Sequence, residues 1–250
     1  AFYGFVAILL SIGAARRLAG PGLLAGILVW LGTPLLFYMY VSPPYSHACS
    51  AFAVALFVTI WLRVRERWSV GGAIALGFAG ALMAMVREQD TFLALGPAVD
   101  FLWTVVRGGI NGRQSGTTTI ARAIPIAAAG CIAFAIGLLP QLIAYKALNG
   151  HFGPSKLVAR KMNWQAPHAL QVLGSPEHGL FFWTPLAALA LRGLVVLAVR
   201  GQAQSRRIAW CALLMVALQV YVSGSVESWT VAGAFGQRRF VALTILLTRV

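Results

Sequence analysis

Acidic residues are the scarcest feature of this chain: 250 residues hold only 6 Asp and Glu. Charged residues of both signs together make up 10%, where soluble domains carry about a quarter. So little charge cannot clothe a soluble surface, and the 59% of hydrophobic residues is more than a soluble fold of this length can hide. A bilayer removes the difficulty, because lipid stands in for the polar exterior. Cysteine is scarce too. Cys49, Cys131 and Cys211 lie far apart, the last two inside apolar runs, with no CxxC and no Cys/His cluster. That argues against a disulfide framework or a metal centre and reads as small buried apolar residues. The shortage of acid leaves a net charge of +14. Nucleic acid is not the expected partner, because Lys and Arg form short clusters between apolar runs rather than one basic face.

Apolar runs dominate what remains. They cover about 2–14, 21–41, 49–62, 70–86, 91–106, 123–148, 180–199, 208–223 and 240–250. Backbone groups in lipid must be bonded internally, so such runs are expected to be helices. The expected fold is all-α: one polytopic membrane domain over 1–250, with about 8–9 spans. The first and last runs are shorter than the roughly 20 residues of a full span. Both ends therefore read as cut through helices of a longer chain.

Alternate connections carry unequal charge. Arg16, Arg17, Arg63, Arg65, Arg67, Arg107, Arg113, Arg122, Arg200, Arg206 and Arg207 fall on one side, with Glu66 as its acid. The other side holds connections 42–48, 87–90, 149–179 and 224–239, which contain Glu88, Asp90, Glu177 and Glu227. The positive-inside rule makes the first side cytoplasmic. The connections with unusual polar chemistry then all face outward, whereas segment 108–119 (GGINGRQSGTTT) reads as a flexible inner linker.

Four outer constellations are candidates for chemistry. In Ser42-Pro43-Pro44-Tyr45-Ser46-His47, the prolines stop one helix and Ser46 is placed to cap the next. His47 would open that helix at the membrane surface, where it can handle protons or bind phosphate, or simply anchor the turn. Arg87-Glu88-Gln89-Asp90 supplies a cation and two carboxylates close to lipid, where polar groups are costly unless paired or facing a polar cavity. A solvated turn is the plainer alternative. The outer loop 149–179 brings Lys156, Arg160, Glu177 and His178, and loops of that length are commonly functional. The last constellation runs from Glu227-Ser228-Trp229 to Gln237-Arg238-Arg239. Two outer arginines call for an anionic partner, either a lipid headgroup or a diphosphate. Asp100 lies inside a run and reads as structural, with Arg192 as its guessed partner.

Four strings carry a resemblance: PPYSHACSAFAVALFVTIWLR, ALMAMVREQDTFLAL, SPEHGLFFWTPLAALAL and SWTVAGAFGQRRFVAL. Together they resemble bacterial membrane glycosyltransferases of the protein O-mannosyltransferase-like group of the glycosyltransferase C superfamily. The resemblance covers most of the chain. It implies a multi-pass enzyme of the inner (plasma) membrane that takes a sugar from a polyprenyl-phosphate donor at the extracytoplasmic face. The acceptor would be a glycan, lipid or protein. It places the principal catalytic carboxylate in a first outer loop that precedes this chain. His47 stands roughly where many relatives carry an acid. On this reading His47, Glu88 and Asp90 are the catalytic candidates. Arg87, Lys156, Arg160, Arg238 and Arg239 would hold the donor phosphate, and Glu177, His178, Trp229 and Gln237 the loop or acceptor side. A divalent cation near Glu88, Asp90 or Glu177 is compatible with this chemistry but not required. The alternative is a transporter or flippase of lipid-linked sugar or small solutes, for which mid-membrane polar residues and internal repeats would be the signature.

Overall fold

A computed structural model describes residues 1–18, 22–111, 120–156, 160–231 and 233–248. Among these the structure is helical, with one isolated bridge between Met162 and Val226. The first half comprises α1 (Phe2–Leu18), α2 (Gly22–Gly32), α3 (Leu35–Tyr40), α4 (His47–Val64), α5 (Val70–Val86), a 3-10 segment (Glu88–Ala94), α6 (Leu95–Asn111) and α7 (Ile120–Asn149). The second half comprises α8 (Ala169–Gly174), α9 (Leu180–Trp183), α10 (Pro185–Arg200), α11 (Ala203–Ser225), a second 3-10 segment (Arg238–Leu243) and α12 (Thr244–Leu247).

Among the described residues, three helices are long and apolar enough to cross a membrane: His47–Val64, Ala121–Asn149 and Ala203–Ser225. They differ in how the protein covers them. The apolar stretches of α4 and α11 are 67% and 61% buried, but that of α7 is only 11% buried. α7 packs on α5 and leaves Ile124, Ile132, Ile136, Leu139 and Ile143 uncovered. Water would not tolerate such a face, whereas hydrocarbon does. Small residues set the α5–α7 contact: a Cβ on Gly77 would stand 2.3 Å from the Gly130 carbonyl oxygen, and one on Gly137 would stand 2.7 Å from Ala81 Cβ. Close backbone approach of this kind is how helices associate in lipid.

Several expected runs are not continuous helices. Run 21–41 divides at Thr33-Pro34 into α2 and α3, and run 180–199 divides at Thr184-Pro185 into α9 and α10. Proline lacks the N–H that would bond to the preceding turn and is favoured in the first turn of a helix, where Pro185 stands in α10. The start of run 91–106 is absorbed in the first 3-10 segment. Of run 240–250, the described part folds as the end of the second 3-10 segment, packed on α4 and α11, and as α12, buried against α1 and α4. Of the linker segment, the part to Asn111 continues α6, and 112–119 lies outside the described residues.

The core is centred on α4, whose Trp61, Phe57, Val54 and Val58 are buried among α1, α5 and the 240–247 segment. Two polar rungs tie α4 to the stretch from Glu88 into α6. At one end Ser50 Oγ donates to Asp90 Oδ2 at 2.5 Å. Toward the other, Asp100 accepts from Trp61 Nε1 at 2.9 Å and Arg65 Nε at 2.8 Å, and pairs with Arg207 Nε at 2.6 Å. Asp100 is therefore structural, but its partners are Arg65 and Arg207. The guessed Arg192 sits on α10, away from it, because the rotation of a helix in a bundle is set by packing, not by spacing in sequence.

Candidate functional site

The site forms where the N-terminal end of α4 meets the start of the first 3-10 segment and the loop before the second. Ser46 occupies the position before α4, but its side chain makes no cap; its carbonyl accepts the Ser50 N–H at 2.8 Å. His47 opens α4 and is buried at 5% exposure. Three residues on, Ser50 lies on the same helix face. Arg87 and Asp90 are also three apart, and the two pairs meet rung to rung: Arg87 Nη1 lies 3.3 Å from His47 Nδ1, while Ser50 holds Asp90. A guanidinium has no acceptor, so Arg87 donates and His47 Nδ1 accepts. The neutral ring then carries its proton on Nε2, where it can donate to an anion.

Aromatic rings frame the imidazole. Tyr38 lies 4.5 Å from the His47 ring and Tyr45 lies 6.1 Å from it. The Tyr38 hydroxyl donates to the Phe235 carbonyl and accepts the Phe235 N–H, both at 3.2 Å. This clamp brings in loop 228–239 from far along the chain. Gly233 and Gly236 have φ of 74° and 58°, a backbone region that side chains resist. Gly236 turns the chain against Pro34 and delivers Gln237, Arg238 and Arg239. Arg238 then sits 6.0 Å from the Tyr45 ring centre. Arg239 is buried, donating to the Ser228 carbonyl at 3.0 Å and Ser228 Oγ at 3.3 Å. Gln219 of α11 holds the Arg239 carbonyl at 2.9 Å, and Gln237 reaches the Trp229 carbonyl at 3.4 Å.

Arg87 thus contacts the histidine, and the charges of Arg238 and Arg239 reach it. Their mutual repulsion is felt: burial, followed by the charges of Arg87 and Arg238, brings Arg239 down to about 10. Burial also lowers Arg87, with Asp90 opposing and Arg238 adding to the shift. Asp90 is raised by burial, against the pull of Arg87 and Ser50. Its Oδ1, together with Gln237 Oε1 and His178 Nδ1, is buried with no partner among the described residues. Cations in excess of acids suit an anion bearing several oxygens, whereas the unpartnered Asp90 Oδ1 and Gln237 Oε1 are acceptors and would take a donor instead.

The other expected residues are placed as follows. His178 stacks on Trp183 at 5.4 Å, and Trp183 meets Phe235 edge-on at 5.6 Å, so this part of the outer loop borders the site. His178 Nε2 also contacts the Ala234 carbonyl at 3.1 Å. Trp229 stacks on His168 at 5.3 Å. Glu177 is exposed beside this group. Glu88 faces away: largely exposed, it accepts from Gln141 of α7 at 3.2 Å, and the partial loss of water around its carboxyl raises it. Lys156 and Arg160 are exposed, and no described contact joins them to the arginine cluster. A divalent-cation site does not assemble from Glu88, Asp90 and Glu177, and among the described residues no group of three His, Cys, Asp or Glu is placed to hold a metal.

Sequence reasoning missed Tyr38, Ser50 and Gln219, and it named Ser228 in the last constellation without giving it a role. Ser50 had a signal, its helical spacing from His47. Tyr38 and Gln219 sit inside apolar runs, where a polar tip was the sole clue. No protein-family model, curated protein or solved structure matches this chain.

Proposed function

We propose that the chain is the body of a multi-pass inner-membrane glycosyltransferase that uses a polyprenyl-phosphate sugar and a glycan, lipid or protein acceptor at the extracytoplasmic face. The observation that carries this reading is the convergence of Arg87, Arg238 and Arg239 on His47 at one end of a membrane-compatible helix. In glycosyl transfer the acceptor hydroxyl attacks the anomeric carbon and loses its proton to a base. The bond from that carbon to the phosphate oxygen breaks, and the phosphate departs with the electron pair. Arginines fixed before the reaction stabilise that departing charge. His47, offering Nε2–H, fits the same anion better than it fits the role of base. Asp90 is enclosed and bound to Ser50, and Glu88 faces α7. Neither carboxylate is therefore placed to serve as the principal base. The remaining apolar segments bring the expected spans to about 8–9 when the broken helices are taken as pieces of membrane crossings.

A transporter is less well supported. Asp90, Asp100 and the arginines that face them gather at the two ends of α4 rather than midway, and Arg192, midway along α10, is the exception. The test is labelled polyprenyl-phosphate sugar offered to the full-length protein in liposomes. Sugar should pass to an acceptor, and Arg238→Ala should raise the donor KM by roughly 10–100-fold, the loss of one charged hydrogen-bonding partner. Movement of intact donor across the bilayer without transfer would move the assignment to a flippase. Unchanged donor kinetics in the variant would remove the phosphate role from the cluster.

A further inference from the structure

The opposite end of α4 opens on a second cationic cleft, of about 640 Å³, between the turn after α4, the middle of α6 and the first turns of α11. Its floor is the Asp100 rung, where Arg65 and Arg207 share one carboxylate and leave a positive balance. Its rim carries Arg107 and Arg206, both exposed, and among the described residues no acid pairs with either. The acid on the rim, Glu66, faces Arg17 at 3.7 Å. α11 begins at this cleft, and no side chain caps its first turn. Its N–H groups add to the positive field.

Two tryptophans identify the surroundings. Trp103 and Trp210 line the cleft and are 46% and 58% exposed. Arg107 stacks over Trp103 at 4.7 Å. Exposed tryptophans beside arginines mark the headgroup level of a bilayer, where the ring rests among the upper acyl chains and the cation meets phosphate. A site for a soluble anion has no use for two uncovered indoles on its rim.

We propose that this cleft binds the phosphodiester headgroup of an acidic membrane lipid, with Arg107 and Arg206 as direct ligands and the Asp100 rung as a fixed positive floor. The proposal rests on the membrane placement argued above but not on glycosyl transfer. Anionic lipid would tie α4, α6 and α11 together on the side that the positive-inside rule makes cytoplasmic.

Native mass spectrometry of the detergent-solubilised protein, given phosphatidylglycerol or phosphatidylcholine in equal amounts, tests it. Phosphatidylglycerol should be retained preferentially, by about tenfold or more, and the Arg107→Ala/Arg206→Ala double variant should lose that preference. Neither residue is buried, so the variant should fold, which its unchanged thermal unfolding will verify. Equal retention of the two lipids, or a preference surviving in the double variant, would overturn the proposal. So would saturable pyrophosphate binding lost in the variant without any lipid preference, which would make the cleft a soluble-anion site. Alkaline carbonate extraction of the membranes separates the two claims. Release of the chain would sink the membrane placement itself, while retention without lipid preference would sink only the cleft.

Discussion

At the scale of single residues, Asp90 shows how burial sets a group's behaviour. Its carboxyl is wholly enclosed, bonded on one oxygen by Ser50 and unpartnered on the other, and burial raises it above the ordinary value. In the unfolded chain it titrates near about 3.9. The folded protein therefore holds this proton more tightly. The resulting stability is fully present below the unfolded value and is lost as pH rises through the folded one. Asp90→Asn keeps an acceptor for Ser50 but cannot ionise. Thermal unfolding in detergent across pH 4 to 8 should show the wild type losing stability relative to the variant as pH rises. Parallel profiles would mean that Asp90 is solvated. Much at this scale was open to sequence reading: His47, Arg87, Arg238 and Arg239 are conspicuous as polar residues beside long apolar runs. Their roles were not. That His47 accepts from Arg87, and so presents a donor rather than a base, depends on which ring nitrogen faces the guanidinium, and sequence carries no record of that. The charge partners of Asp100 were equally hidden.

Elements were legible as apolar runs, and their interruptions only in part. Pro34 and Pro185 stand in plain view, but whether a proline kinks a helix or ends it depends on its neighbours. α7 contains Pro125 and Pro140 and remains one helix, whereas run 21–41 divides. The meeting of segment 42–50 with 87–90 and 235–239 joins parts far apart in sequence and follows from bundle topology alone. Glycine positions carry information about helix contacts. On α5, Gly77 lies against the Gly130 carbonyl of α7, while Gly71 on the same helix has open space around its Cβ position. Gly77→Ala should force α5 and α7 apart and cost about 1–3 kcal/mol as overpacking does. Gly71→Ala should instead be neutral or stabilising by about 0.5–1 kcal/mol, since alanine costs less backbone entropy in a helix. Unfolding by SDS titration separates the two. Equal stability of the pair would show that α7 does not dock on α5 as described.

The whole molecule is organised by one length. α4 has 18 residues, so its ends stand about 27 Å apart, close to the roughly 30 Å of a hydrocarbon core. The arginine–histidine cluster is at one end and the Asp100 rung with its arginines at the other, and between them the helix buries apolar side chains. Around α4, charge is thus pushed to two levels that match the two faces of a bilayer, which is the arrangement that an acid-poor chain with clustered arginines foreshadows; Arg192, midway along α10, departs from it. α7 supplies the test of whether lipid fills the space between those levels. Cys131 lies on it, about 17 Å from its first residue, and the protein leaves this thiol exposed. If water surrounded α7, a membrane-impermeant maleimide would reach Cys131 readily. In a bilayer the same thiol sits at mid-depth and is shielded. In native membranes opened to both faces, and in a Cys49→Ala/Cys211→Ala background, Cys131 should stay unlabelled until SDS is added. Glu177→Cys in a matching background that also lacks Cys131 should label at once, because Glu177 is exposed in the loop beside the candidate site. Labelling of Cys131 as fast as Cys at position 177 would mean that α7 is covered by water or by nothing at all, and the membrane placement of both cationic ends would fall with it.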